Sequence, residues 1–217
     1  MGSLYIGNNL VAPIVTDVKK VVESDFLIKL IQGDVTDITD ELEGVTKIAG
    51  YFFSYSNIKS ISLPSTLTSI SGYGFQNSVR LVNIDFSRAT KLYRLYMGAF
   101  YGTAIKSIDL SKTIIDHIPE DCFTSCHSLE SIVFPDTLKY IDSAPFSYAD
   151  KLTSISLPHG FTKFYLAVIN SSTSITSITY DGTIAEWNTI VSNSNPQWCK
   201  KDITVHCTDG DVSITKS

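Results

Sequence analysis

Residues 58–63 read IKSISL, and the chain contains seven copies of this pattern. The central isoleucine of each copy recurs after 23, 23, 24, 24, 23 and 23 residues. These isoleucines are Ile38, Ile61, Ile84, Ile108, Ile132, Ile155 and Ile178. A period in the low twenties is typical of a solenoid, in which each unit buries its apolar face only by stacking on its neighbours. The spacing therefore predicts an elongated stack of coils.

Each repeat carries further apolar positions at fixed distances from this isoleucine. Apolar residues stand three positions before it and, in all but the first repeat, two positions after it, which predicts a short strand with one face inward. A second core position follows 9 to 11 residues later, and a large residue stands five residues beyond that. The large residues are Phe53, Phe75, Phe100, Phe123, Phe146 and Ile169. The recurrent phenylalanine predicts a continuous aromatic spine through the stacked coils.

Two of these segments resemble a known repeat family. Residues 60–70, SISLPSTLTSI, and residues 123–132, FTSCHSLESI, look like BspA-type leucine-rich repeats, and the resemblance covers about residues 35–182. It implies a mostly β, right-handed leucine-rich-repeat solenoid with a parallel sheet on one face, short helical or irregular convex segments, and caps at both ends. The family occurs in bacterial and protozoan surface proteins and in phage or prophage proteins. Its general association is with adhesion and with recognition of proteins or glycans, and it implies no catalytic residues.

The composition excludes several classes of partner. A net charge of −5 argues against nucleic acid, because phosphate contacts need clustered Lys and Arg. No apolar run of 18 residues occurs, so we expect no membrane insertion. The first residues lack a charged start followed by an apolar segment, so we expect no signal peptide in this chain. An extracellular, cell-surface or virion location is favoured by the family resemblance.

The C-terminal residues predict a lid, because a solenoid exposes an apolar cross-section at its end. Residues 183–186 have the spacing of a capping box, and the helix that follows turns Trp187 and Ile190 toward the last coil. Residues 203–207 alternate as a strand, and residues 212–214 return as its hairpin partner.

A different lid is predicted at the N-terminus. Residues 4–6 and 10–12 flank a turn-forming GNN segment and predict a hairpin, and residues 24–32 predict a short helix that ends at Gly33. The predicted organisation is therefore a β-ribbon at residues 1–22, a capping helix at 23–34, a solenoid of seven repeats of 23–24 residues at 35–182, and a helix plus β-hairpin cap at 183–217.

Many of the eleven tyrosines fall in the bends rather than the strands, and residues 93–101 are the densest cluster. The register assigns Leu95 and Phe100 to the core. The side chains left to face solvent form a candidate binding patch of Tyr93, Arg94, Tyr96 and Tyr101. Tyr and Arg are enriched at binding hot spots, but tyrosine also shields the seams between coils with its hydroxyl in water. Binding and packing both remain open for these residues.

The outward residues of the predicted strands are mostly small and hydroxylic. A weaker candidate surface on this sheet consists of Asn83, Asp85, Ser107 and Asp109. Asp85 and Asp109 are expected side by side on adjacent coils, where they either share a cation or stay solvated. Two carboxylates make a poor cage, so no metal site is predicted.

The remaining chemistry-bearing residues predict no active site. Cys122, Cys126 and His127 lack a second ligand pair, and the register places Cys122 in the core, which favours packing over metal binding. Cys199 and Cys207 are either free thiols or a disulfide. The four histidines are scattered, and no nucleophile-elbow, zincin or phosphate-loop motif occurs, so we predict neither an enzyme nor a cofactor.

The sequence therefore predicts a non-enzymatic recognition or adhesion scaffold that binds a protein or glycan on a cell surface through the solenoid. Residues 4–13, LYIGNNLVAP, resemble the start of small phage and prophage structural proteins from gut bacteria, which favours a phage-related setting. The alternative is a structural subunit of a virion or surface assembly, which would dock with neighbouring subunits through its N-terminal segment.

Overall fold

The structure is a computed structural model that describes residues 4–6, 9–11, 42–170 and 173–215. Its elements in chain order are β1 (Leu4–Ile6), β2 (Asn9–Val11), β3 (Lys47–Ile48), β4 (Ser60–Ser62), β5 (Ser69–Ile70), β6 (Asn83–Asp85), β7 (Arg94–Leu95), β8 (Ser107–Asp109), β9 (His117–Ile118), β10 (Ser131–Val133), β11 (Tyr140–Ile141), β12 (Ser154–Leu157), β13 (Lys163–Phe164), β14 (Ser177–Tyr180), α1 (Ile184–Asn193), β15 (Ile203–Cys207) and β16 (Gly210–Ile214). The arrangement is a β-solenoid with little helix, which confirms the predicted fold class.

One side of the solenoid is a wide sheet, formed by strands β4, β6, β8, β10, β12 and β14 stacked in parallel. The recurrent isoleucines stand opposite one another in it, as in the pairs Ile61 with Ile84, Ile108 with Ile132, and Ile155 with Ile178. They are all buried, while their neighbours in the strands face outward. The single isoleucine column that the period predicts is therefore confirmed for these six, and Ile38 lies outside the described residues.

The other side is a narrow sheet of two-residue parallel strands, β3, β5, β7, β9, β11 and β13. The sequence predicts a core position here but not a strand. Each of these strands carries the second core residue of its repeat, as in the register Ile118, Ile141 and Phe164. Each coil thus has two strands, with the apolar core between the two sheets.

The predicted aromatic spine is present. Phe53, Phe75, Phe100, Phe123 and Phe146 stack face to face, with neighbouring ring centroids 5.1, 5.5, 5.7 and 6.1 Å apart. Each ring is at most 2% exposed. Offset stacking in a dry core adds about 0.5–1.5 kcal/mol per pair beyond the burial of area, so the spine holds successive coils together.

The bends after β3, β5, β7, β9 and β11 contain left-handed backbone two residues before and two residues after the spine position, and the bend after β13 contains it two residues before. In the first bend these residues are Tyr51 and Tyr55, each with φ of 59°, on either side of Phe53. The other residues of this kind are Tyr73, Asn77, Gly98, Gly102, Asp121, Ser125, Ala144, Tyr148 and Ala167. Only a few of them are of the types that adopt this conformation readily, so the stacking must impose it.

Hydrogen bonds between coils impose this backbone. The amide nitrogens of Tyr73, Phe75 and Asn77 donate to carbonyl oxygens of the next bend at 3.0, 2.9 and 2.8 Å. In this bend every second amide, from residue 73 to residue 77, donates to the next coil. A Cβ atom at Gly98 would stand 2.3 Å from Cε1 of Tyr73, so glycine is what lets the Tyr73 ring lie over the next coil.

A helix and a hairpin close the C-terminal end. Helix α1 follows the N-cap Thr183, whose hydroxyl accepts from the Glu186 amide while the Glu186 carboxylate accepts from the Thr183 amide. Trp187 and Ile190 of α1 are buried, and the Trp187 ring lies 6.0 Å from that of Phe164. Strand β15 pairs with β14 in parallel and with β16 antiparallel, so the hairpin extends the wide sheet.

At the N-terminus, β1 and β2 pair antiparallel, with Leu4 opposite Val11 and Ile6 opposite Asn9. The connection therefore has two residues, because Asn9, which the sequence assigns to the turn, is already in β2. The predicted capping helix at residues 24–32 lies outside the described residues, and the domain boundaries stay a prediction.

Candidate binding surfaces of the narrow sheet and its bends

The side chains that flank the core residues of the narrow sheet form an aromatic strip, which we define as Arg94, Tyr96, His117, Tyr140, Lys163 and Tyr165. His117 is only 5% exposed, so it supports the strip from below. In the register, His117 stands opposite Tyr140 and Tyr140 opposite Lys163, and strand β7 with Arg94 contacts β9. Each member flanks the buried second core residue of its repeat by one position. The strip thus crosses four coils with a residue that is aromatic or cationic at nearly every outward position.

Direct ring contacts connect the members of the strip. The His117 and Tyr140 rings stack at 4.9 Å with an interplanar angle of 12°, and the Tyr165 ring meets Tyr140 edge-on at 5.7 Å. Lys163 Nζ lies 4.6 Å from the Tyr165 centroid and 5.7 Å from that of Tyr140. The Arg94 guanidinium lies 5.8 Å from the Tyr96 ring centroid. These are cation–π distances, so the cations are already held beside the rings.

Charge around the strip is mixed. Burial, and next the carboxylates of Asp116 and Asp142, raise the pKa of Tyr140, so its hydroxyl stays protonated. A hydrogen bond with Tyr165 raises the pKa of Lys163, which keeps the ammonium charged. Asp116 Oδ1 also lies 2.8 Å from Nδ1 of His117. The strip therefore offers rings, hydroxyl and ammonium donors, and carboxylate acceptors side by side.

The structure distributes the sequence-predicted patch over two places. Arg94 and Tyr96 lie together in the aromatic strip, and Tyr93, which is 48% exposed, precedes them on the narrow sheet. Tyr101 instead meets Tyr73 edge-on in the bends, at 6.5 Å. Whether these residues bind a partner stays a prediction.

Sequence reasoning missed His117, Tyr140, Lys163 and Tyr165 as neighbours of this patch. The signal that would identify them is the register, because each flanks a second core position in the way that Arg94 or Tyr96 does.

The weaker candidate surface lies on the wide sheet, where Asn83, Asp85, Ser107 and Asp109 are all exposed. The Asp85 and Asp109 carboxylates each accept from the backbone amide two residues on, at 2.8 and 2.9 Å. Hydrogen bonds from Ser111 lower the pKa of Asp109. Local turns therefore stabilise these charges, and in the described ranges no group of three or more His, Cys, Asp or Glu residues could hold a metal ion.

The cysteines lie in the packing positions that the register predicts. Cys122 and Cys126 are fully buried, and burial raises the pKa of Cys126 to about 11. Cys126 Sγ lies 3.1 Å from the carbonyl oxygen of Phe100. No disulfide joins Cys199 to Cys207.

Within residues 4–6, 9–11, 42–170 and 173–215, no helix has the length and apolar character that crossing a membrane requires.

Comparison with known proteins identifies one matching family and several solved structures with a similar fold. The sequence profile of the "BspA type Leucine rich repeat region" matches six copies over residues 46–176. No curated protein matches the chain.

Solved structures of bacterial repeat proteins resemble the fold. The pneumococcal vaccine antigen PcpA is similar with a TM-score of 0.58 and 22% identity over 64% of this chain. A leucine-rich repeat protein of Treponema pallidum (TM-score 0.42, 21% identity) and a leucine-rich cell surface protein of Faecalibacterium prausnitzii (0.45, 19%) each match over 63% of this chain. This chain covers 36%, 52% and 43% of those three proteins, so it corresponds to about half of their length or less.

Proposed function

This chain belongs to the BspA-type leucine-rich repeat family, and we propose that it is a non-enzymatic recognition scaffold that binds a protein or glycan through the aromatic strip and the adjoining bends. The family's repeat scaffold is consistent with protein binding. The same proposal places the protein on a cell surface or a virion, in keeping with the surface proteins in which such repeats occur.

The observation that supports this proposal is the contrast between the two sheets. The wide sheet presents small polar side chains, whereas Tyr93 and Tyr96 are each 48% exposed and Tyr165 is 37% exposed on the narrow-sheet side. Tyrosine and arginine supply large contact area at a low cost in conformational entropy, which is why they dominate binding hot spots. A surface of this kind suits either a polypeptide or a sugar ring.

A paired selection tests the proposal. Wild-type protein and the variant Tyr93→Ala/Tyr96→Ala/Tyr165→Ala are each exposed to a printed glycan array and to a random-peptide library. We expect ligands that the wild type enriches and that the triple variant binds at least about tenfold more weakly, as the loss of a hot-spot residue predicts. The control is Val133→Ala, which removes an exposed apolar side chain (49% exposed) from the wide sheet. Ligands that the triple variant binds as tightly as the wild type, or no ligand at all, would contradict the proposal.

A second function, docking into an assembly as a structural subunit, is favoured by one observation. Strands β1 and β2 form a two-stranded sheet of their own, and such a ribbon is marginal in stability until a further strand or surface covers it. Deletion of residues 1–20 should then abolish association with the native assembly and leave ligand selection by the aromatic strip unchanged. Retained association would exclude this function.

A further inference from the structure

Tyrosines occupy strained backbone positions in the bends. Tyr55 is 63% exposed and Tyr148 is 54% exposed, and both have φ of 59°. The equivalent position in two other bends holds Asn77 and Gly102, the residue types that tolerate this conformation. A left-handed backbone costs a residue such as tyrosine about 1–2 kcal/mol, and a ring that lies mostly in water regains little of that through burial. The fold therefore gains little from an aromatic ring at Tyr55.

Tyr55 lies in the same bend as Tyr51, whose ring belongs to a cluster. We define the tyrosine face as Tyr51, Tyr55, Tyr73 and Tyr101, which lie in the first three described bends. Tyr51 stacks on Tyr73 at 5.3 Å with an interplanar angle of 14°, and Tyr73 meets Tyr101 edge-on at 6.5 Å. Tyr51 is nevertheless 56% exposed. The ring contacts thus order the face without covering it.

The charge beside this face has one sign. The bend segments 49–57, 71–79, 96–104, 119–126 and 142–149 contain no Lys or Arg, and their acidic residues are Glu120, Asp121 and Asp142. This is unlike the chain as a whole, which carries 17 Lys and Arg against 22 Asp and Glu. Within these segments, a partner meets the rings of the tyrosine face in the first three bends and negative charge in the next two.

The acidic residues Glu120 and Asp121 lie in the bend that follows the one covered by Tyr73. Tyr73 covers Gly98, and the Gly98 amide donates to the Glu120 carbonyl of the following coil at 3.0 Å. The Asp121 carboxylate accepts from the Thr124 hydroxyl at 3.0 Å. Burial raises the pKa of Tyr73, and the negative charge of the Asp121 carboxylate raises it further.

We propose that the tyrosine face docks a basic polypeptide segment that runs along the bends. Its Lys or Arg side chains pack against the exposed rings of Tyr51 and Tyr55 at one end and lie beside the carboxylates of Glu120 and Asp121 at the other. The proposal rests on the proposed function and narrows the partner to a cationic polypeptide. Arginine suits both ends of this surface, because its planar guanidinium stacks on aromatic rings and also pairs with carboxylates.

Two double variants test the proposal with a fluorescein-labelled peptide of alternating Arg and Gly and a matching peptide of Glu and Gly. Tyr51→Asn/Tyr55→Asn removes two rings and inserts a residue that tolerates the left-handed backbone. Glu120→Gln/Asp121→Asn removes two charges at nearly constant shape. We expect the wild type to bind only the Arg peptide, and each variant to raise its Kd by about tenfold, with an affinity for the wild type that falls as salt is added.

Matched controls separate the face from general charge and general ring loss. Asp85→Asn/Asp109→Asn makes the same change in net charge on the wide sheet, and Tyr148→Asn removes an exposed tyrosine from an equivalent backbone position farther along the solenoid. Each control should change the Kd by less than about twofold, since neither touches the face. Equal losses in the face variants and the wide-sheet control would overturn the inference, as would equal binding of the Arg and Glu peptides.

The two proposals fail in different ways. The selection experiment can yield ligands that contain no basic residues, that bind the variant Tyr93→Ala/Tyr96→Ala/Tyr165→Ala more weakly and that bind the tyrosine-face variants normally. Such ligands would contradict the tyrosine-face inference and leave the proposed function intact. A glycan ligand that requires Tyr51 and Tyr55 would overturn the assignment of a basic polypeptide in the same way.

Discussion

Removal of one ring from the aromatic spine gives the largest stability effect that we predict. Phe100 is fully buried and stacks between Phe75 at 5.5 Å and Phe123 at 5.7 Å, with Phe86 edge-on at 6.0 Å. Phe→Ala in a core costs about 3–5 kcal/mol, and loss of the ring pairs acts in the same direction. Because each coil contacts only its neighbours, the cavity cannot be filled from elsewhere in the stack. We therefore expect Phe100→Ala to lower the free energy of unfolding by about 5 kcal/mol.

Urea unfolding followed by circular dichroism measures this loss. With a slope of about 2 kcal/mol per molar urea, the midpoint should fall by roughly 2.5 M. Tyr93→Ala removes a ring that is 48% exposed and should change the stability by about 1 kcal/mol at most. A loss below about 1.5 kcal/mol for Phe100→Ala would refute the idea that the spine holds the coils together.

Three further predictions concern strain, charge and thiols. Tyr55→Asn should raise the melting temperature by a few degrees, because asparagine tolerates the left-handed backbone, and a decrease would show that the ring stabilises the bend. Hydrogen bonds from the Thr183 amide and from His159 lower the pKa of Glu186 to about 2, from an ordinary value of 4.5. The stabilisation that this low pKa gives is present above pH 4.5 and is lost as the pH falls through about 2. An NMR titration of Glu186 should find a midpoint near 2 that rises in the variant His159→Gln. A midpoint near 4.5 would contradict the pairing of Glu186 with His159. Of the four thiols only Cys207, which is partly exposed, should react with a disulfide reagent in the native protein, and fast reaction of a second thiol would contradict the packing.

The coil-forming positions could be predicted from the sequence because each occurs many times. Because the pattern occurs seven times, the isoleucine column at Ile61 and the phenylalanine column at Phe100 can be recognised, even though a single repeat such as the first departs from the pattern. The capping box could be predicted for a different reason, since Thr183 and Glu186, which form it, are only three residues apart in the chain.

The narrow sheet could not be predicted, because its strands have only two residues each. The residues before its core positions share no type: they include Ser69, Arg94, His117 and Lys163. The left-handed bends are equally varied in residue type. Hydrogen bonds between coils, and not residue preference, determine both features, and these bonds connect residues more than twenty positions apart.

The candidate patch, which stays a prediction, divides between two surfaces for a related reason. Tyr96 and Tyr101 are close in sequence, but the chain turns into the bend between them. In a solenoid the neighbours on a surface come from adjacent coils, so Tyr140 and Tyr165 accompany each other in the strip, and Tyr101 accompanies Tyr73. To predict a binding surface in such a fold, equivalent positions of successive repeats must be compared, and not consecutive residues of one repeat.

Amide hydrogen exchange tests most directly whether hydrogen bonds between coils hold the bends, and the tyrosines on them, in an ordered stack. The amides of Phe75, Phe100 and Phe123 donate to the next bend at 2.9, 3.0 and 2.9 Å. They should exchange as slowly as the amides of Leu63 and Leu110 on the wide-sheet side, which donate to the next coil at 2.9 Å each, because both sets open only when coils separate. Exchange of the bend amides at the rate of exposed loops would contradict this architecture and, with it, the ordered tyrosine face.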